Sequence, residues 1–176
     1  MEKGCQLYKA REIIGLPVVS LDTGKEIGVV TDLLWSHPKM KIICLVVEEK
    51  GGFNHNRHLS FTDINSIGKD AVTVSSADVL EDEREHLDAA SLNQKEGELV
   101  LTQDGQNLGT LNDVIFDVNE GKLLGYELST GLVGDLLTGR MVMSPEMVAT
   151  WGKEAIIAGF TGTDRGDQGA VSDMQW

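Results

Sequence analysis

The feature that most constrains this chain is that it repeats itself. Gly24-Lys25-Glu26-Ile27-Gly28-Val29-Val30-Thr31-Asp32 recurs as Gly105-Gln106-Asn107-Leu108-Gly109-Thr110-Leu111-Asn112-Asp113, 81 positions later. The match runs on without a gap through Leu33-Leu34-Trp35 onto Val114-Ile115-Phe116 and Lys41-Ile42-Ile43 onto Lys122-Leu123-Leu124. A second block, Gly68-Lys69-Asp70-Ala71-Val72, recurs as Gly152-Lys153-Glu154-Ala155-Ile156, 84 positions later. The later copy therefore carries three extra residues between the blocks, near Gly131 to Met141. A fixed spacing of this kind marks a tandem duplication, so the fold must be one small unit built twice.

Each copy reads as short strands. Pro17 to Leu21 is an apolar run, and Asp22-Thr23-Gly24 supplies a turn after it, since Gly accepts positive φ at no steric cost. The second copy has Asp104-Gly105 there, a hairpin signal. In Glu26 to Trp35, Ile27, Val29, Thr31 and Leu33 share one face, and Gly28, Val30, Asp32 and Leu34 the other. After a turn at Pro38, or at Asn119-Glu120-Gly121 in the second copy, come Lys41 to Val47, then Leu59 to Phe61, Ile64 to Ile67 and Ala71 to Val74. Closely spaced short strands with Gly-containing turns predict an all-β chain of small antiparallel barrels. Each copy is about 65 residues long, near the lower limit for an independent core, and packing two together would cover exposed strand edges.

Two stretches break the pattern. Asp78 to Leu92 is charged and lacks Gly and Pro, and predicts a helix capped by Ser76 or Asp78, with Leu80, Leu87 and Leu92 as its apolar stripe. Thr161 to Trp176 is rich in Gly and Asp, without periodicity, and predicts a flexible tail. The expected organisation is a first repeat over 8–76, a short helical connector over 77–95, a second repeat over 96–160 and the tail over 161–176.

Composition narrows the class. With 41% apolar residues and only 3 Pro, the chain is unlike a disordered one. Apolar runs such as Ile42 to Val47 are far shorter than the roughly 18–20 residues that span a bilayer. Met1 to Cys5 offers no apolar leader, so the expected location is the cytoplasm, with peripheral membrane association left open. The net charge of −13 argues against DNA as a direct partner. Residues 1–88 carry 10 basic and 15 acidic side chains, and residues 89–176 carry 5 and 13. A basic protein partner would therefore favour the second half.

These residues resemble a known family. Ala10-Arg11-Glu12-Ile13-Ile14-Gly15-Leu16-Pro17-Val18-Val19, followed by Thr23 to Leu34, is similar to the opening of a PRC-barrel domain. So are the Gly51-Gly52-Phe53 loop and Ile64-Asn65-Ser66-Ile67-Gly68-Lys69-Asp70-Ala71-Val72-Thr73-Val74. The second copy matches from Gly97 to Ala158 without the Arg-Glu-Ile-Ile-Gly entry. The family includes the cytoplasmic domain of the photosynthetic reaction-centre H subunit and the C-terminal domain of the ribosome maturation factor RimM. The resemblance implies a small β-barrel that binds other macromolecules, and no catalytic residue set. No stretch of this sequence resembles the H subunit's transmembrane helix or RimM's separate N-terminal domain, so neither of those whole proteins is expected.

Candidate chemistry is sparse. His55 and His58 flank Asn56-Arg57 and could start a metal site, but no Cys/His/Asp cluster accompanies them in sequence, so a polar loop is expected. Cys44 lies in an aliphatic run and reads as a small buried hydrophobe, and no disulfide with Cys5 is expected. Asp117-Val118-Asn119-Glu120-Gly121 resembles the start of a calcium loop, yet position 12 falls on Leu128 rather than Glu, so a hairpin turn is expected. Asp32 and Asp113 occupy equivalent positions, which favours a shared structural role over acid–base work. The loop from Gly131 to Arg140 lacks the Gly-Lys-Ser/Thr of a phosphate-binding loop. Its Leu132, Val133, Leu136 and Leu137, together with Phe53, are the candidate protein-contact residues. No catalytic, cofactor or metal residue is assigned. The expected function is a non-enzymatic adaptor or assembly module that binds proteins, with self-association left open. The alternatives are a ribosome-assembly factor of RimM type and a peripheral component of a membrane complex.

Overall fold

A computed structural model describes residues 4–51, 55–84, 86, 88–130 and 140–161. Phe53, Leu132, Val133, Leu136, Leu137 and positions 162–176 of the expected tail lie outside the described residues. The chain divides into two compact units, residues 1–94 with 116–123, and residues 95–115 with 124–176.

The first unit contains β1 (Leu7–Lys9), a single helical turn α1 (Ala10–Ile13), β2 (Pro17–Ser20), β3 (Glu26–Ser36), β4 (Lys41–Glu49), β5 (Asn56–Ser60), β6 (Ile64–Ile67), β7 (Val72–Val74), β8 (Leu80–Asp82) and β9 (Ala89–Ser91). Its sheet runs β6-β7-β2-β3-β4-β5-β8, with β9 against β3. Neighbours are antiparallel except β2 and β7, which pair in parallel through Val18↔Val72. Trp35, Leu33, Leu45, Val47 and Leu59 are wholly buried in its core.

A turn α2 (Leu92–Lys95) leads into β10 (Leu99–Thr102), β11 (Asn107–Asp117), β12 (Leu123–Ser129), β13 (Met141–Met143), β14 (Val148–Trp151) and β15 (Ala155–Ala158). The second sheet runs β13-β12-β11-β10-β15-β14, with β1 against β11, and here too two strands pair in parallel, β10 with β15 through Val100↔Ile156. The chain is thus mainly β, with curled sheets of half-barrel form.

Backbone geometry repeats as closely as sequence. In the first copy the amide of Gly15 donates to Val30 O (2.8 Å) and that of Val30 to Leu16 O (3.0 Å). In the second, Gly97 donates to Leu111 O (2.7 Å) and Leu111 to Glu98 O (2.9 Å). Gly15 and Gly97 both take positive φ, 93° and 83°. The entry element is therefore present in the second copy as α2 and Gly97, although its side chains differ from Arg-Glu-Ile-Ile-Gly. The repeated strand glycines have another reason. A Cβ on Gly28 would lie 2.5 Å from Glu48 O, and one on Gly109 2.4 Å from Ser129 O. The neighbouring strand approaches too closely for a side chain.

Two expectations need correction. Among the described residues, the segment Asp78 to Leu92 forms no helix of the expected length. It forms a 3₁₀ turn (Ala77–Val79), then β8, β9 and the start of α2. Leu80 is buried opposite Leu59 in the sheet, and the Arg57 guanidinium donates to the carbonyls of Leu80 (2.7 Å) and Glu81 (3.1 Å). Sheet pairing outweighs the weak local preference of a stretch with few apolar positions. The simple alternation in β3 also fails. Val30 pairs with Val47 and Asp32 with Val46, leaving Thr31 as the extra residue of a bulge. The bulge shifts the facing by one, so Leu33 is wholly buried whereas Leu34 is half-buried.

Candidate functional site

The bulge in β3 places the buried Asp32 carboxylate on the same face as Leu34 and Val46, away from Leu33. Its Oδ1 accepts from the amides of Leu33 (2.8 Å) and Asn93 (3.2 Å), and its Oδ2 accepts from the Ser91 hydroxyl. The Asn93 side-chain amide donates to Thr31 O (3.1 Å). Asp113 accepts from the amide of Val114 in the same way (2.8 Å). These aspartates hold backbone in place, as the repeat had suggested.

Beside Asp32 lies a cleft of about 450 Å³ lined by Asp32, His58, Glu83, Arg84, His86 and Ser91 among others. His58 is buried on β5. It stands opposite Val46 of β4, so it shares a sheet face with Cys44, two residues away. The Cys44 Sγ lies 3.9 Å from His86 Nε2. The His58 and His86 rings stack with centroids 5.3 Å apart and planes at 21°. The Arg84 amide approaches His58 Nδ1 at 3.5 Å, while the Arg84 guanidinium pairs with Glu81.

Local electrostatics follow from this packing. Burial, with the charge of Asp32 adding to it, pushes the Cys44 thiol up to about 12. The thiol is therefore protonated at neutral pH and a poor nucleophile. Burial first, and then the neighbouring His86, lower the pKa of His58, against an opposing pull from Glu83. The cleft thus presents a neutral thiol and an imidazole that resists protonation.

His55 and His58, neighbours in sequence, do not come together in the fold. His55 is exposed and precedes β5, whereas His58 turns into the sheet. The residues that join His58 are Cys44, across the β4–β5 register, and His86, between β8 and β9. Alternation along β4 and β5 was the available signal for the Cys44–His58 pair. Nothing local could place His86, because a helix was expected there. Cys5 is exposed and Cys44 buried, both as free thiols. The Asp117 to Gly121 stretch is the β11–β12 hairpin turn. Gly121 donates to Asp117 O (2.8 Å), and the Asp117 side chain accepts from the Asn119 amide (2.8 Å).

In the second unit the same strands carry other chemistry. Glu127, buried on β12, accepts from Asn112 Nδ2 (2.5 Å) and Arg140 Nη1 (2.7 Å). Lys95 pairs with Glu98 (2.8 Å) and lies 5.8 Å from the Trp151 ring centre.

The profile of the PRC-barrel domain matches residues 6–80 and again residues 88–157. The chain belongs to the PRC-barrel family. It is a tandem PRC-barrel protein, and the two matches coincide with the two sets of repeated backbone hydrogen bonds. It is also 30% identical over 132 residues to the uncharacterized protein YrrD of Bacillus subtilis (strain 168), a match that covers 74% of each chain. Among the described residues, no helix of this PRC-barrel protein is long and apolar enough to cross a membrane.

Proposed function

We propose that this chain is a non-catalytic adaptor that uses two PRC barrels to hold protein partners. The observation that carries this reading is the contrast between scaffold and surface. Hydrogen bonds at Gly15 and Gly97, and the close approaches at Gly28 and Gly109, are kept in both repeats. Exposed side chains at matched positions are not: Glu26 corresponds to Asn107, and Asn56 to Arg140. A duplicated frame with divergent faces suits the display of two different binding surfaces better than the duplication of one reaction. The excess of acidic side chains, larger in residues 89–176, favours a partner with a basic surface.

Crosslinking of the full chain in cells, followed by mass spectrometry, tests the proposal. The expected result is one recurring protein partner whose recovery falls as ionic strength rises. Failure to recover a specific partner under several growth conditions would sink it. Co-sedimentation of that partner with ribosomal subunits or with washed membranes would assign the process.

A further inference from the structure

Cys44, His58 and His86 place one sulfur and two imidazole nitrogens within 4.8 Å of one another. They come from three separate stretches, β4, β5 and the segment between β8 and β9, and only the fold unites them. Two of the three are buried and fixed by the β4–β5 register, and His86 is half-buried over them. In a tetrahedral zinc site, bonds of about 2.3 Å to sulfur and about 2.0–2.1 Å to nitrogen set the S···N separation near 3.6 Å. The Cys44 Sγ to His86 Nε2 distance of 3.9 Å is a few tenths of an ångström longer. The other separations lie within 4.8 Å, so binding must draw the three donors together by side-chain rotation, by up to about an ångström or slightly more.

The donor set is also selective. One thiol with two imidazoles suits zinc and its neighbours and disfavours calcium or magnesium, which take oxygen ligands. Asp32 and Glu83 line the same cleft and favour a cation there. The matched positions of the second repeat are Gly125 and Val142. A Cβ on Gly125 would come 2.8 Å from the Val142 side chain. The barrel frame thus works with that face filled by small apolar groups, and does not itself require Cys or His there.

We propose that Cys44, His58 and His86 bind one zinc-class divalent ion, with its fourth position open to the cleft. The ion displaces the Cys44 thiol proton, which leaves to solvent. Coordination through His58 Nε2 moves that ring's proton to Nδ1 and gives up the long contact from the Arg84 amide. Metal occupancy therefore acts directly on the segment that carries Arg84 and His86.

Cobalt(II) serves as the probe, added to the full chain after chelator treatment. The expected result is one equivalent bound, with a thiolate-to-metal absorption band and a rise in melting temperature, and with zinc displacing the cobalt. Cys5→Ser should leave the band intact. Cys44→Ser should abolish it, and His86→Ala should weaken binding by at least about tenfold. His86 is half-buried, so its variant keeps the test decisive if the Cys44 variant does not fold. Absence of cobalt binding overturns the proposal. So does binding that lacks the thiolate band or survives His86→Ala unchanged.

Discussion

In the first repeat, the β4–β5 face carries Cys44 and His58. In the second, the β12–β13 face carries Gly125 and Val142 at the same places, and a buried Glu127 stands where the first has Val46. The frames beneath these faces share the same hydrogen bonds and the same close approaches. The difference teaches that a PRC barrel's fold is set by its turns, bulges and strand contacts. The β4–β5 and β12–β13 pairs are left free to carry ionisable or apolar groups.

The largest test concerns which residues count as one unit. Phe116 is part of the second repeat by sequence, yet it falls in the first compact unit and meets the edge of the Phe61 ring at 6.3 Å. Phe116→Ala should cost about 3–5 kcal/mol. Amide exchange should quicken in the first unit, around β4 and β5. If only β12 to β15 lost protection, that division of the chain would be wrong.

The paired glycines come next. Gly28→Ala should cost about 1–3 kcal/mol from the clash with Glu48 O. Gly109→Ala should cost about 1 kcal/mol more, because Gly109 also holds φ at 120°. Urea melts of the two variants would expose any reversal of that order.

Smaller still is the exchange of polar for apolar chemistry. Arg140 is half-exposed, but Glu127 is buried and would keep Asn112 as a donor, so Arg140→Ala should cost about 1–3 kcal/mol. The double variant Asn112→Thr, Glu127→Val installs the first repeat's residues and should stay within about 1 kcal/mol of the parent. A loss as large as that from Phe116→Ala would show that the carboxylate organises its unit.

The smallest effect is on pH dependence. Burial pulls the Asp117 carboxyl upward, but hydrogen bonds from Asn119, Cys5, Gln6 and Glu120 outweigh it and hold the group below its ordinary value. A depressed carboxylate adds stability that is complete above the unfolded value, about 3.9. That stability is lost as pH falls through the folded value. Acid melts of Asp117→Asn should therefore converge with those of the parent at low pH and lie slightly below them near neutrality. Parallel curves would remove this role from the turn.

Much of the fold was legible because its signals are local. Gly24 and Gly105 mark turns, and β-branched runs such as Ile42 to Val47 mark strands. The β3 bulge was not legible, since it arises from pairing with β4 rather than from Thr31 itself. The connector was misread for a related reason. Its charged residues suit a helix, but Leu80 gains more from burial opposite Leu59 than a short isolated helix could supply. The Cys44–His58–His86 group was hidden by distance along the chain. Its members are 14 and 28 residues apart, and the nearby His55 offered a more obvious but unrelated partner.

The division of the chain at residues 94/95 and again at 115/116 and 123/124 bears on how such a gene can change. A repeat that could be copied in as one piece can no longer be cut out as one piece. A deletion that removed the second copy cleanly would take residues 116–123 with it and leave the first unit incomplete. Loss of the second copy would therefore cost the first unit part of its own packing.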